Sequence, residues 1–251
     1  MSEPEVNFPK APIVEAVLDI ECDMPPGQKI AALEGPARDV FRDCYPKFRV
    51  QFLQEHLIES KPDQQPQMSV RQDIQALQFL TEDEKQLVQV RTQGFAFNRL
   101  APYGSLDDYL PEIERTWRLF LELASPVQVR VIRLRYINRI PLPLSGGRVQ
   151  LNDYLHVAPH LPDEKALTFT GFLNQHSAIE AETGHQVNLV LTTQPADGEN
   201  LPLIFDNCVS SEESAEPDNW LWILTKIQAL RALKNRIFRN TLTEQCQNLF
   251  Q

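Results

Sequence analysis

Residues Val127 to Ile140, VQVRVIRLRYINRI, set apolar side chains against charged or polar ones at nearly every second position. A period of two sends successive side chains to opposite faces of a strand, so this segment demands a long β-strand, half in a core and half in water. Its apolar residues occupy odd positions through Val131 and even positions from Ile132. That change of phase predicts a bulge or strong twist between them. Arg133, Arg135 and Arg139 then share one side.

A strand this long needs neighbours, and the chain supplies them. Ile13 to Ile20 reads as a strand opened by Pro9 and Pro12 and broken by Pro25-Pro26-Gly27. Ile30, Ala31, Leu33, Ala37, Val40 and Phe41 recur at helical spacing, with Gly35-Pro36 expected to kink or split the helix. Phe48 to Leu53 reads as a strand and the polar stretch Ser60 to Asp73 as a surface loop. Ala76 to Leu80 and Leu87 to Arg99 read as hairpin arms around the acidic turn Thr81 to Lys85, with a bulge at Gly94. Ser105 is placed to cap a helix whose first turn holds Asp107 and Asp108. Its apolar stripe is Tyr109, Ile113, Trp117, Phe120 and Leu121, and Pro126 ends it.

After the arginine-bearing strand come a short helical candidate at Leu151 to Leu155 and strands over Leu167 to Glu182, Val187 to Thr193 and Leu203 to Val209. A last helix begins near Pro217-Asp218 and carries Leu224, Ile227, Leu230, Leu233 and Ile237 on one face. The expected class is α+β. Residues 1–125 and 126–251 read as two β-α-β-β-β-α halves packed as one unit, a duplication that forms one curved antiparallel sheet with long helices on one face. The TATA-binding-protein-like, or helix-grip, arrangement has this order, although a fold analogy assigns no function.

The stretch RLRYINRI, the N-terminal PKAPIVEAVLDI and the C-terminal ALKNRIFRNTL resemble a sporadically distributed family of bacterial proteins of similar length. RYINRI is the distinctive piece. The resemblance spans nearly the whole chain and implies a single-unit architecture, but no established activity, cofactor or catalytic residue.

A formal net charge of −10 disfavours non-specific attachment to nucleic acid, which needs clustered lysine and arginine on an approachable face. No apolar stretch is long enough to span a membrane and the first residues lack a signal-peptide pattern, so a cytoplasmic location is expected. Cys22, Cys44, Cys208 and Cys246 are scattered and read as ordinary thiols.

Arg133, Arg135 and Arg139, with Asn138 on the same strand and Arg91 and Arg99 on the expected neighbours, are the candidates for binding an anion. The plainer reading is a salt-bridged strand, with Glu180 and Glu182 as possible partners. Trp220, Trp222, Arg231, Arg236 and Arg239 are candidates for contact with a partner protein or a second copy of the chain. A solvated, dipole-matched last helix with one core-anchoring indole explains them more simply. His156 and His160 are four apart, but Pro159 between them spoils the helical metal-ligand spacing, so no metal is expected. Glycine-rich phosphate loops, nucleophile elbows and cofactor signatures are absent from the sequence.

The leading expectation is a non-enzymatic accessory protein that binds a protein partner or an anionic ligand on its sheet or last helix, as in a mobile defence or toxin-antitoxin operon. The first alternative is an enzyme acting on a phosphorylated or carboxylated small molecule, with Arg133 and Arg135 as anchors and Glu15, Asp19, Glu180 or Glu182 as base. The second is nucleic-acid binding through the sheet.

Overall fold

The structure, a computed structural model, describes residues 8–59, 67–162, 166–167 and 170–251. Its strands are β1 (Ile13–Asp23), β2 (Lys47–Glu59), β3 (Gln67–Leu80), β4 (Gln86–Arg91), β5 (Gly94–Leu100), β6 (Gln128–Pro143), β7 (Leu173–Ile179), β8 (Gln186–Thr193) and β9 (Asn200–Ser211). The helices are α1 (Ile30–Phe41), α2 (Leu106–Ala124), α3 (Trp220–Thr241) and the short α4 (Glu244–Gln247). The chain is an α+β protein. Its strands form one antiparallel sheet in the order β2-β3-β4-β5-β1-β6-β9-β8-β7.

The arginine-bearing strand β6 pairs directly with β1, placing Ala16 opposite Tyr136, Leu18 opposite Leu134 and Asp19 opposite Arg133. Glu21 faces Val131 and Cys22 faces Val129, so Arg130 is the extra residue of a β-bulge. The expected change of phase therefore falls one position before Val131, and from Ile132 onward every even residue through Leu142 is buried.

Period-two alternation builds a continuous apolar row across seven strands: Phe79, Val88, Phe97, Leu18, Leu134, Val209 and Val187. All three long helices cover this face. Leu33, Ala37 and Phe41 of α1, Ile113, Trp117 and Phe120 of α2, and Ile223, Ile227, Leu230 and Leu233 of α3 join it in one core. Trp117 stacks on Phe120 and meets Phe95 edge-on, while its indole N–H donates to the Pro217 carbonyl at 3.0 Å. Each such aromatic contributes roughly 1.5–3 kcal/mol by leaving water. A second cluster fills the far end of β6 and β9, where Leu142, Leu155, Leu203, Leu242 and Phe250 meet.

Local signals explain the boundaries. Ser105 caps α2 in a full capping box with Asp108, and Ser125 ends that helix in the left-handed conformation just before Pro126. Asn219 caps α3 through its side chain.

Several expectations are corrected. Gly35-Pro36 does not split α1, which runs through Pro36 as one helix. Leu87 to Arg99 is two strands joined by a tight turn at Thr92-Gln93, and Gly94 opens the second strand instead of forming a bulge. Four strands therefore lie between α1 and α2, where three were expected. In the expected loop Ser60 to Asp73, residues 60–66 lie outside the described residues and 67–73 belong to β3. The strand expected over Leu167 to Glu182 is confined to Leu173–Ile179, with residues 168–169 outside the described residues. Leu151 to Asp153 forms a single 3-10 turn.

Candidate functional site

The face of the sheet opposite the helices carries the charge. On β1 the residues between the buried Ala16, Leu18, Ile20 and Cys22 are Glu15, Val17, Asp19, Glu21 and Asp23, and on β6 they are Arg133, Arg135, Ile137 and Arg139. β9 adds Asp206, Cys208 and Ser210 by register. These side chains lie at the centre of the sheet, where β1 meets β6.

Each arginine expected to bind an anion here already holds a carboxylate. Arg91 donates to Asp19 Oδ2 at 2.5 Å, Arg133 donates to Glu21 Oε1 at 2.6 Å with Asp19 Oδ2 at 3.7 Å, and Arg135 grips Asp206 through Nε and Nη2 at 2.5 to 3.0 Å. Arg130 pairs with Asp23 at 2.6 Å and Arg139 with Asp197 at 3.1 Å. At Arg133 burial disfavours the charge, but the hydrogen bond and charge of Glu21, aided by Asp19, outweigh it and hold the guanidinium above its ordinary range. For Arg135 the Asp206 hydrogen bond is the largest cause of the same upward shift. Cys208, between these pairs, has its thiol pushed up by burial and then by the Asp206 charge. Asp19 keeps one oxygen, Oδ1, buried with no hydrogen-bond partner, and its side chain is 17% exposed.

From this centre a row of amides extends toward β2. Asn98 donates to Glu15 Oε1 at 2.7 Å, Gln89 to Asn98 at 2.9 Å, Gln78 to Gln89 at 3.3 Å and to Gln51 at 3.0 Å, and Gln51 to Gln75 at 3.0 Å. Side-chain hydrogen bonds thus run across five strands of the helix-free face. Each amide supplies a donor and an acceptor, so the row fixes its own orientation.

Other expected residues lie elsewhere. Asn138 is buried on the helix side of β6, where its amide donates to the Phe205 carbonyl at 2.9 Å, so it does not join the arginines. Arg99 also faces the helices, with Nε 3.2 Å from the Tyr109 hydroxyl. Trp220 and Trp222 are partly buried against the core, and the Lys226 ammonium lies 5.4 Å from the Trp222 ring centroid. Arg231 bonds Asp107 at 2.8 Å and Ser105 at 3.3 Å, tying α3 to the start of α2. Arg236 pairs with Glu180, and the Arg239 carbonyl accepts from Gln247 at 3.3 Å.

Glu180 does not neutralise the strand arginines as expected, because β7 ends at Ile179 and turns Glu180 toward α3. Thr183 hydrogen-bonds Glu180 and is the largest cause holding its carboxyl below the ordinary value; Arg236 adds to this against the cost of burial. Glu182 is exposed in the turn that follows. Among the described residues no group of three histidines, cysteines or acids could hold a metal ion, and the stretch around His156 and His160 is not helical.

Sequence reasoning missed Glu21 and Asp206 as the arginines' partners, and it missed the amide row. The signal for the amides was present as single amides at the polar positions of successive strands, Gln51 on β2, Gln78 on β3, Gln89 on β4 and Asn98 on β5. No helix among the described residues is long and apolar enough to cross a membrane. No family model, no curated protein and no solved structure matches the chain.

Proposed function

We propose that this chain is a non-enzymatic accessory protein that binds a protein partner on the helix-free face of its sheet. The observation that carries the reading is the set of cross-strand contacts on that face, in which the amide row holds Glu15 and neighbouring ion pairs hold Arg133 to Glu21 and Arg135 to Asp206. Side chains already held in place lose little freedom on docking, so a polar surface of this kind favours a specific partner.

The balance of charge weighs against the alternatives. Glu15, Asp19, Glu21, Asp23 and Asp206 balance Arg91, Arg130, Arg133, Arg135 and Arg139 in number on this face, so a phosphate backbone would meet as much repulsion as attraction. An enzyme anchoring its substrate on Arg133 and Arg135 would first have to break both pairs.

We propose further that the fold is a duplicated, TATA-binding-protein-like or helix-grip arrangement. β1 and β6 lie side by side, and each is flanked on its other edge by the strand that precedes a long helix, β5 before α2 and β9 before α3. The kinship with the RYINRI-bearing bacterial family is proposed on the sequence alone, as are a mobile operon and a cytoplasmic site of action.

The test is native capture of the tagged full chain from its host, followed by mass spectrometry. A stoichiometric protein is expected with the wild type and with Arg118→Glu on the exposed side of α2, and not with the double variant Arg133→Glu, Arg135→Glu. Capture that is indifferent to the double variant would refute the reading.

A further inference from the structure

β7 forms one end of the sheet, and among the described residues nothing pairs with its outer edge. The Glu180 N–H donates to the His185 carbonyl and the Thr193 N–H to the Phe172 carbonyl, so the even positions between them are the ones that bond β8. By alternation the N–H and C=O groups of Leu173, Gln175, Ser177 and Ile179 point away from the sheet. Such a row of backbone groups is a template for one more strand.

β7 lacks the devices that keep an edge to itself. Its sequence, LNQHSAI, holds no acid, lysine, arginine or proline, and its register with β8 runs without a bulge. The opposite edge differs, because β2 opens with Lys47 and Arg49 and its pairing with β3 shifts register between Gln51 and Phe52. Near the two ends of β7, Leu173 and Ile179 are each 69% exposed, more than any other large apolar side chain described on a strand. Both lie on the helix-free side, since Asn174, His176 and Ala178 stand opposite Leu191, Leu189 and Val187, which turn to the core on the other side.

These features are symmetric about His176. An antiparallel copy of β7 with His176 opposite His176 sets Leu173 against Ile179 and Gln175 against Ser177, so each outward-pointing residue meets another. Pairs of that kind exchange two hydrogen bonds each, and the aliphatic side chains of one chain cover those of the other. A slip of one residue sets outward-pointing groups against groups already bonded to β8. A slip of two sets one aliphatic against Ser177 or Gln175 and leaves the other beyond the paired stretch.

We propose that two copies of this chain associate edge to edge through β7, antiparallel about a two-fold axis at His176, joining their sheets into one. A second copy fits because the pattern complements itself, as an isologous contact requires. β8 and β9 separate this edge from β6, so the contact stands apart from the docking surface at the centre of the sheet.

The test is sedimentation equilibrium of the full chain at up to about 200 μM, where a dimer with a dissociation constant on the order of 10 μM is expected. Ser177→Pro removes an outward N–H and should weaken the dimer about tenfold or more while the circular dichroism spectrum holds. Should the proline variant fail to fold, Ile179→Lys at its exposed site should weaken the dimer in the same way. His176→Cys in a Cys44→Ser background should give a disulfide-linked dimer on gentle oxidation, because directly opposed residues of a non-hydrogen-bonded pair lie within disulfide reach. A chain monomeric at the highest concentration, or a dimer that neither variant weakens, would overturn the proposal, and a dimer without that disulfide would overturn the axis at His176. A monomer that captures a foreign protein, and loses it with Ser177→Pro, would assign the edge to a strand of that protein and overturn the proposal as well. The double variant Arg133→Glu, Arg135→Glu should dimerise as the wild type does, so the dimer and the docking surface can fail separately.

Discussion

Gly94 lies so close beneath Ile20 that a Cβ at position 94 would stand 2.1 Å from the Ile20 carbonyl oxygen. The neighbouring contacts are backbone too, at 3.1 Å from the Cys22 nitrogen, and Gly94 has φ +135, which side-chain-bearing residues rarely adopt. Gly94→Ala must therefore push β5 away from β1 at the centre of the sheet. A loss of about 3 kcal/mol or more is expected, measured as the shift of the urea midpoint.

Gly35 predicts the opposite sign. It sits inside α1 with nothing within 4 Å of an added Cβ and no positive φ. Gly35→Ala should stabilise the chain by about 0.5–1 kcal/mol, because it removes backbone freedom from the unfolded state and meets no obstacle in the folded one. Thermal melts of the two alanine variants beside the wild type should move in opposite directions.

The thiols should sort by environment. Burial pushes Cys22 up to about 12, with the Asp19 charge next in size, and burial alone pushes Cys246 up to about 12, whereas Cys44 is exposed. A disulfide reagent at neutral pH should label Cys44 at once and spare Cys22 and Cys246 until unfolding, as mass spectrometry will show. Both raised values lie above the ordinary 9.0 of an unfolded thiol, so the stability they represent is complete below that pH. It is lost as pH climbs from about 9 toward 12, and Cys246→Ala should flatten that alkaline decline.

The Arg135–Asp206 pair joins β6 to β9 through two guanidinium nitrogens, with Asp206 16% exposed and Arg135 48% exposed. Because water reaches the arginine, the coupling is expected to be about 1 kcal/mol, well below that of a fully buried pair. A double-mutant cycle of Arg135→Met and Asp206→Asn measures it. Arg135→Met alone should cost more than the double variant, since it leaves the aspartate unpaired.

Local chemistry made much of the fold readable in advance. Ser105, Asp108 and Pro126 mark α2 to the residue, and the alternation from Ile132 to Ile140 marks the buried face of β6. The turn at Thr92-Gln93 was hidden because neither residue carries the glycine or asparagine signature of a two-residue hairpin, and Gly94 drew the reading toward a bulge. The site was legible only in part. Arg133 and Arg135 could be placed on one side by period, but their partners Glu21 and Asp206 lie 112 and 71 residues away along the chain. Such pairs depend on which strands become neighbours, which no local pattern encodes. Arg99 lies on β5 opposite Ala16 of β1, a register that puts its side chain on the helix face, whereas Arg91, before the turn, points to the helix-free face.

The reading of the helix-free face as a docking surface is tested most directly by carboxyl footprinting of the captured complex against the free chain. Glu15, Glu21 and Asp206 should lose reactivity toward a carbodiimide on binding, while Glu114 and Glu122 of α2 react as before. Protection of the two helix carboxylates, with unchanged labelling of the three on the sheet, would contradict it.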